Sequence, residues 1–175
     1  MTSRGEAVEI VEVPESSRSD LLPILEDSFE GMYLWHSRRT LRSISLVKAA
    51  RIGGENAGLA MLKMLDEKAA YVYYIAVSKS FRRRGIGGLL LDDALSGFLR
   101  VGAEEAYASV EEDNAESNAL FASRGFGRDE DGLIRRYGRI KGFVMAREMM
   151  IVRGEVLLSK KLVPPSDTEG RASSP

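Results

Sequence analysis

Seven consecutive residues, Arg82-Arg83-Arg84-Gly85-Ile86-Gly87-Gly88, combine three guanidinium groups with three residues that lack a Cβ. Guanidinium groups are permanent cations that grip oxyanions through paired hydrogen bonds. Glycine lets an anion approach the main chain closely. A helix-spaced apolar run follows at Leu89, Leu90, Leu91, Ala94, Leu95 and Phe98. A helix starting here aims its unpaired first-turn amides and the positive end of its dipole at the same place. The chemistry these residues can do together is the binding of phosphate.

The loop must be held by what precedes it. Tyr71 to Val77 (YVYYIAV) is aromatic and β-branched and reads as a buried strand. Ser78-Lys79-Ser80 is a polar turn. Two familiar phosphate loops fail on specific residues. No Gly, four residues, then Gly-Lys-Ser/Thr occurs in the chain. A dinucleotide turn would need glycine where Leu90 stands.

Arg-x-x-Gly-x-Gly at Arg82, Gly85 and Gly87, directly after an Ile-Ala-Val strand, resembles the acyl-CoA loop of the GNAT superfamily of N-acetyltransferases. A second segment is similar to the same family: Asn114, Leu120, Gly125 and Phe126 match its Asn, short helix and Gly-Phe in place and spacing. The resemblance is continuous from about Tyr71 to Phe126. It implies a mixed, mostly antiparallel central sheet flanked by helices, an α/β (α+β) fold with strands splayed at a CoA cleft. It implies acetyl-CoA as acyl donor, with Ile75, Ala76 and Val77 forming the strand edge and the backbone of Ile75 and Val77 pairing with the pantetheine arm. Amides from Arg83 through Arg84, Gly85, Ile86 and Gly87 to Gly88 would hold the pyrophosphate, Arg82 and its neighbours would add charge, and Asn114 would hydrogen-bond the arm. The Val77 amide would polarise the thioester carbonyl.

The family's reaction is direct attack by an unprotonated amine, which needs a base and benefits from an acid at the departing thiolate. Family members often carry that acid as Tyr at the position of Phe121, and Phe has no hydroxyl. Phe121 therefore packs its helix against the sheet or the cofactor. Ser109 stands where many members have Glu or His. By the same resemblance Tyr71 is a candidate base, relaying through water, with Tyr73 on the same strand face. Glu111, two residues from Ser109, is the second candidate. Plain strand packing for the tyrosines and a solvated strand end for Glu111 and Glu112 stand beside these readings. A lone exposed histidine is the commoner reading of His36, with entry from the helical region where the family often binds its acceptor as the alternative. Trp35 is read as core, with a substrate-pocket wall as the alternative.

The 175 residues suit one domain, expected over residues 1–163, with a polar, Pro-rich disordered tail over 164–175. Net charge is −1, which argues against nucleic-acid binding through Arg135-Arg136, Arg139 and Lys141. There is no cysteine and one histidine, which excludes thiolate catalysis, Cys-based zinc and multi-histidine metal sites. No apolar run reaches the roughly 18 residues of a membrane span, and the first residues lack a signal-peptide core. A cytoplasmic protein without a membrane partner is the expectation.

The order of elements is expected to be β-α-α-β-β-β-α-β-α-β-β. Ser17 or Ser19 caps the first helix in this reading. The last two strands, Gly142 to Val152 and Glu155 to Leu162, form a closing hairpin around Arg153-Gly154. Its edge would be available to a second subunit, so a homodimer is left open. The function expected is acetyl transfer from acetyl-CoA to a primary amine, the acceptor being a protein N-terminus or a lysine. A small-molecule amine acetyltransferase and a catalytically degenerate CoA-binding module are the alternatives.

Overall fold

A computed structural model of the chain describes residues 7–129 and 132–163; the expected C-terminal tail lies outside them. Strands β1 (Glu9–Glu12), β2 (Leu46–Ile52), β3 (Glu55–Met64), β4 (Ala69–Val77), β5 (Glu105–Glu111), β6 (Gly127–Arg128) and β7 (Glu155–Lys161) form one seven-stranded sheet in the order β1-β2-β3-β4-β5-β7-β6. Every neighbouring pair is antiparallel except β4 and β5, which run parallel. Helices α1 (Leu22–Ser28), α2 (Gly31–Ser43) and α5 (Gly132–Met149) cover one face, and α3 (Ile86–Arg100) and α4 (Ala115–Ala122) cover the other.

Covering on both faces explains the central sequence. In β3, Ala60 and Leu62 pack under Leu90 and Leu91 of α3, while Leu59 and Met61 pack under Leu25 of α1 and Leu41 of α2. Such a strand is apolar continuously rather than in alternation. Gly58 sets how close α3 comes: a Cβ there would lie 2.9 Å from the Ala76 carbonyl oxygen and 3.1 Å from Leu90 Cδ1.

The β3–β4 turn is fixed by Asp66. Its carboxylate accepts from the amides of Lys68 at 2.8 Å and Ala69 at 2.7 Å, and pairs with Lys141 of α5 at 2.6 Å. Burial pushes this carboxyl up, but the Lys141 ammonium and the two amides outweigh it and hold it below the ordinary value of 3.8. A depressed folded value stabilises above the unfolded one and is lost as pH falls through the folded one. Asp66→Asn is expected to cost about 1–2 kcal/mol near neutral pH. The difference from the parent should vanish well below 3.8, as thermal denaturation of both proteins at the two pH values would show.

Two expectations from the sequence are corrected here. Gly142–Met149 is not a strand but the second half of α5. Gly142, Met145 and Met149 are buried at helical spacing, and Lys63 on β3 pairs with Glu148 at 2.8 Å. Gly138 (φ 77°, ψ 169°) breaks the helix in a region only glycine adopts readily. The two halves then meet so closely that a Cβ on Gly142 would sit 2.9 Å from the Leu133 carbonyl oxygen. The closing hairpin is therefore absent, and the sheet edge on that side is the two-residue β6. Nor does Ser17 or Ser19 cap a helix: a 3-10 turn spans Glu15–Leu21 and runs into α1 without a side-chain cap.

Candidate active site

The sheet opens where the sequence placed the cleft. β4 and β5 pair from Ala69↔Glu105 to Val72↔Ala108 and then part. β5 keeps its other partner throughout, from Glu105↔Lys161 to Glu111↔Glu155. A bulge helps β4 turn away, because Leu62 faces Val72 and Met61 faces Tyr74, leaving Tyr73 with no opposite residue. Beyond it, the Ser78 amide reaches the Ala57 carbonyl at 3.0 Å. Since antiparallel hydrogen-bonded pairs alternate, Ala76 also faces β3. Ile75 and Val77 then turn their main-chain groups to the side that β5 has vacated.

The loop after β4 is built to point amides the same way. Arg83 (φ 64°) and Gly85 (φ 75°) are both left-handed, which makes a concave run of main chain before α3. Leu89 is the residue whose amide reaches back to Gly85, at 3.1 Å; the amides before it have no helical acceptor. A cavity of about 350 Å³ lies between this loop, the free edge of β4 and α4. Ile75, Ala76, Val77, Arg82, Arg83, Gly85, Ile86, Gly87, Gly88 and Asn114 all line it. Open strand edge, unpaired amides and flanking arginines fit a pantetheine arm ending in a pyrophosphate.

The side chains divide the work differently from the sequence reading. Arg82 is a staple: its Nε donates to the Val77 carbonyl at 3.1 Å and its Nη2 to the Asp27 carbonyl at 3.1 Å. Asp27 itself accepts from Ser78 and Lys79, whose hydrogen bonds hold its carboxyl below the usual range. Arg84 does not line the cavity; its guanidinium stacks on Phe81, 5.3 Å from the ring centre. A Cβ on Gly88 would meet the end of the Arg124 side chain, which would have to shift. Arg124 in turn grips Asp92 of α3 through two bonds of 3.1 Å. Asn114 caps α4 by accepting from the Ser117 amide at 3.0 Å.

Two further cavities continue from the first. A junction of about 320 Å³ shares Ile75, Asn114 and Leu120 with the cofactor channel and adds Phe121, Ser109 and Val110. Phe121 thus faces the junction, edge-on to Phe126 at 5.1 Å. Beyond lies a cavity of about 190 Å³ between α2, β4, β5 and the chain that joins α5 to β7. Tyr71, Tyr73, Tyr74, Ser109, Glu111 and His36 meet there, so both candidate bases fall in one place. Trp35 does not: it is 55% exposed, under neither the core nor a cavity wall, with Arg39 over its ring.

The tyrosines here are hydroxyls rather than phenolates. Tyr71 is 1% exposed and its hydroxyl lies 2.7 Å from that of Ser109. Burial drives its pKa far above the ordinary tyrosine value, against the pull of the Ser109 bond. Tyr73 is pushed up to about 12 by burial and the Glu148 carboxylate, and its hydroxyl bonds to the Glu148 carbonyl. Tyr74 is pushed up to about 12 by burial and by Glu155.

Two residues were not found from the sequence. Glu155, first in β7, is the register partner of Glu111. Tyr33 of α2 donates to Glu155 Oε1 at 3.2 Å, and burial with the charges of Glu155 and Glu111 raises its pKa. Glu155 carried no signal until β7 was paired with β5. Tyr33 was legible only as a member of an apolar helical stretch.

Known proteins share this fold. Residues 10–126 match the model of the acetyltransferase (GNAT) family. No curated protein sequence matches the chain. The ribosomal-protein-S18-alanine N-acetyltransferase of Escherichia coli is 16% identical with a TM-score of 0.68, over 94% of this chain and 100% of that one. A PaiA N-acetyltransferase from Thermoplasma acidophilum, solved with coenzyme A, is 15% identical with a TM-score of 0.67, over 89% and 99%. A GNAT acetyltransferase from Elizabethkingia anophelis, solved with acetyl-CoA, is 18% identical with a TM-score of 0.60, over 89% and 98%. The sheet that opens after Val72, the amide-lined loop before α3 and the family match over most of the chain lead to one conclusion: this chain belongs to the GNAT family of acetyltransferases.

Proposed function

We propose that the protein transfers an acetyl group from acetyl-CoA to a primary amine that enters through the tyrosine-lined cavity. The observation that carries this reading is the continuity of three cavities, from the amides of the Arg83–Gly88 loop to the carboxylates of Glu111 and Glu155. A donor held at one end and an amine held at the other meet at the junction.

The chemistry follows from what stands at each point. An ammonium arriving beside Glu111 and Glu155 gives up one proton to a carboxylate, directly or through water. Tyr71 and Ser109, joined by their hydrogen bond, pass protons as neutral hydroxyls, a role that suits the raised pKa of Tyr71. The free amine attacks the thioester carbonyl carbon, and the Val77 amide stabilises the developing oxyanion. The C–S bond breaks as the amide forms, the nitrogen's second proton passes through the Tyr71–Ser109 hydroxyls to solvent, and CoA leaves as thiolate. Phe121 offers that sulfur no proton, so it is taken up from solvent. The acceptor in this reading is a protein N-terminus or lysine.

Release of CoA thiol from acetyl-CoA on adding amines tests the reading, and amine-dependent release is the expected result. Tyr71→Phe removes the hydroxyl from a buried pair. It is expected to lower kcat by about 10-fold, less than the roughly 10²- to 10⁴-fold of a positioned acid–base group because the Ser109 hydroxyl remains, and to change the CoA dissociation constant by less. Parent-like turnover in the variant would remove Tyr71 from the relay. CoA binding without release for any amine would leave a binding module.

A further inference from the structure

We infer that the acceptor is a primary amine with no carboxylate beside it, carried on an aromatic or aliphatic body, and neither a free α-amino acid nor a hydrophilic diamine; this rests on the acetyl-transfer reading above. Glu111 and Glu155 stand directly opposite each other on antiparallel strands and both line the cavity beyond the junction. Like charges so placed weaken a sheet. Among the described residues neither carboxylate is ion-paired with a lysine or arginine: Lys63, Arg136 and Lys141 are paired with Glu148, Glu105 and Asp66. Two neutral donors answer part of the charge, Tyr33 at Glu155 Oε1 (3.2 Å) and the Val152 amide at Oε2 (3.1 Å). The cation the pair lacks is what an incoming ammonium provides.

The rest of the cavity describes the body of that amine. Its walls are Tyr33, Tyr71, Tyr73 and Tyr74, whose rings pack against carbon. Met32, Met150 and Val152 line it too, at 67%, 49% and 39% exposure. A volume of about 190 Å³ suits a fragment-sized group, below the roughly 300–1,000 Å³ of pockets for drug-sized ligands. An α-amino acid would carry its own carboxylate, two bonds from the nitrogen, toward two carboxylates already in place. Arg153 also lines the cavity, but it stands exposed on the turn before β7. Two carboxylates against one guanidinium leave the excess charge negative. A diamine would match the charge but leave a second ammonium among tyrosine and methionine side chains, at a desolvation cost.

Four probes decide it: phenethylamine, phenylalanine amide, phenylalanine and putrescine. Each is measured by CoA release with acetyl-CoA and by calorimetry on the CoA-loaded protein. Phenethylamine and phenylalanine amide are expected to exceed phenylalanine and putrescine at least about tenfold in kcat/KM and in affinity. A lead for the amide identifies a peptide N-terminus as the source of the amine, and a lead for phenethylamine a small amine. Phenylalanine or putrescine equal to the favoured probes overturns the inference while leaving acetyl transfer intact. The binding preference without turnover of any probe overturns acetyl transfer and leaves the amine site standing. In the double variant Glu111→Gln, Glu155→Gln the affinity preference over phenylalanine should narrow to within about threefold. An undiminished preference in that folded variant, or no binding of any probe to the parent, also overturns the inference.

Discussion

Gly87→Glu is expected to abolish acetyl-CoA binding in a protein that still folds. The position is tolerant of a side chain as such: a Cβ there would meet Leu120, Ile75 and Val77 at 3.6–3.9 Å, ordinary packing distances. Gly87 also has no positive φ to strain. What the site does not tolerate is what a glutamate brings. It carries a carboxylate to the first turn of α3, where the unpaired amides await a phosphate. It also extends chain into the cavity between β4 and α4. Both effects oppose the same ligand, so a loss of more than about 100-fold in affinity is expected. Gly87→Ala serves as the control and should bind within a few-fold of the parent. Calorimetry with CoA, beside thermal denaturation to establish folding, reads both. A folded Gly87→Glu protein with parent-like affinity would place the cofactor elsewhere.

The second large effect belongs to the carboxylates. The double variant Glu111→Gln, Glu155→Gln is expected to lose about 10²- to 10⁴-fold in kcat, the scale of a positioned acid–base group. Its KM for acetyl-CoA should stay close to the parent's, because neither residue lines the cofactor channel. The substitution also removes a like-charged pair from directly opposed strands. Thermal stability should therefore hold or rise slightly, which separates loss of chemistry from loss of structure. The pH profile adds a distinct readout. Tyr73 and Tyr74 are pushed up to about 12 and Tyr71 is raised strongly too. No tyrosine in the cavity then ionises between roughly pH 6 and pH 10. Any rise of rate with pH in that window comes from a group other than these tyrosines, such as the substrate's own ammonium, and it should persist in Tyr71→Phe. A limb that disappears with the Tyr71 hydroxyl would return the role of base to that residue.

The opening beside β4 was legible because its signals are local. A buried strand, a glycine-rich turn and an amide-rich helix start follow one another between Tyr71 and Leu91, although nothing in the sequence marked Arg83 as left-handed. Asn114 was legible for the same reason, as a helix cap close in sequence to what it caps. The acceptor side was not. Glu155 acquires its place from the pairing of β7 with β5, and Tyr33 from the packing of α2 over that pair; neither relation is written in neighbouring residues. The C-terminal third misled for a physical reason. Phe143, Val144, Met150 and Val152 make an apolar run that reads as strand, yet the first two are 69% and 49% exposed on a helix. The spacing of Gly142, Met145 and Met149 was helical all along, but Gly138 hides the period by breaking the helix ahead of it. Arg82 and Gly88 line the cavity, and what the sequence did not show is that Arg82 also binds the loop to α1 and that Arg124 packs against Gly88.

The early parting of β4 and β5 has a thermodynamic corollary. After Val72 the sheet is one partner short, and an extended arm carrying amide groups can act as that partner. Occupancy and folding then become one linked equilibrium. A ligand that binds only the folded chain adds RT ln(1 + [L]/Kd) to the free energy of unfolding, about 2.7 kcal/mol at a concentration 100 times Kd. Bound acyl-CoA would therefore raise the melting temperature of this protein in step with its concentration.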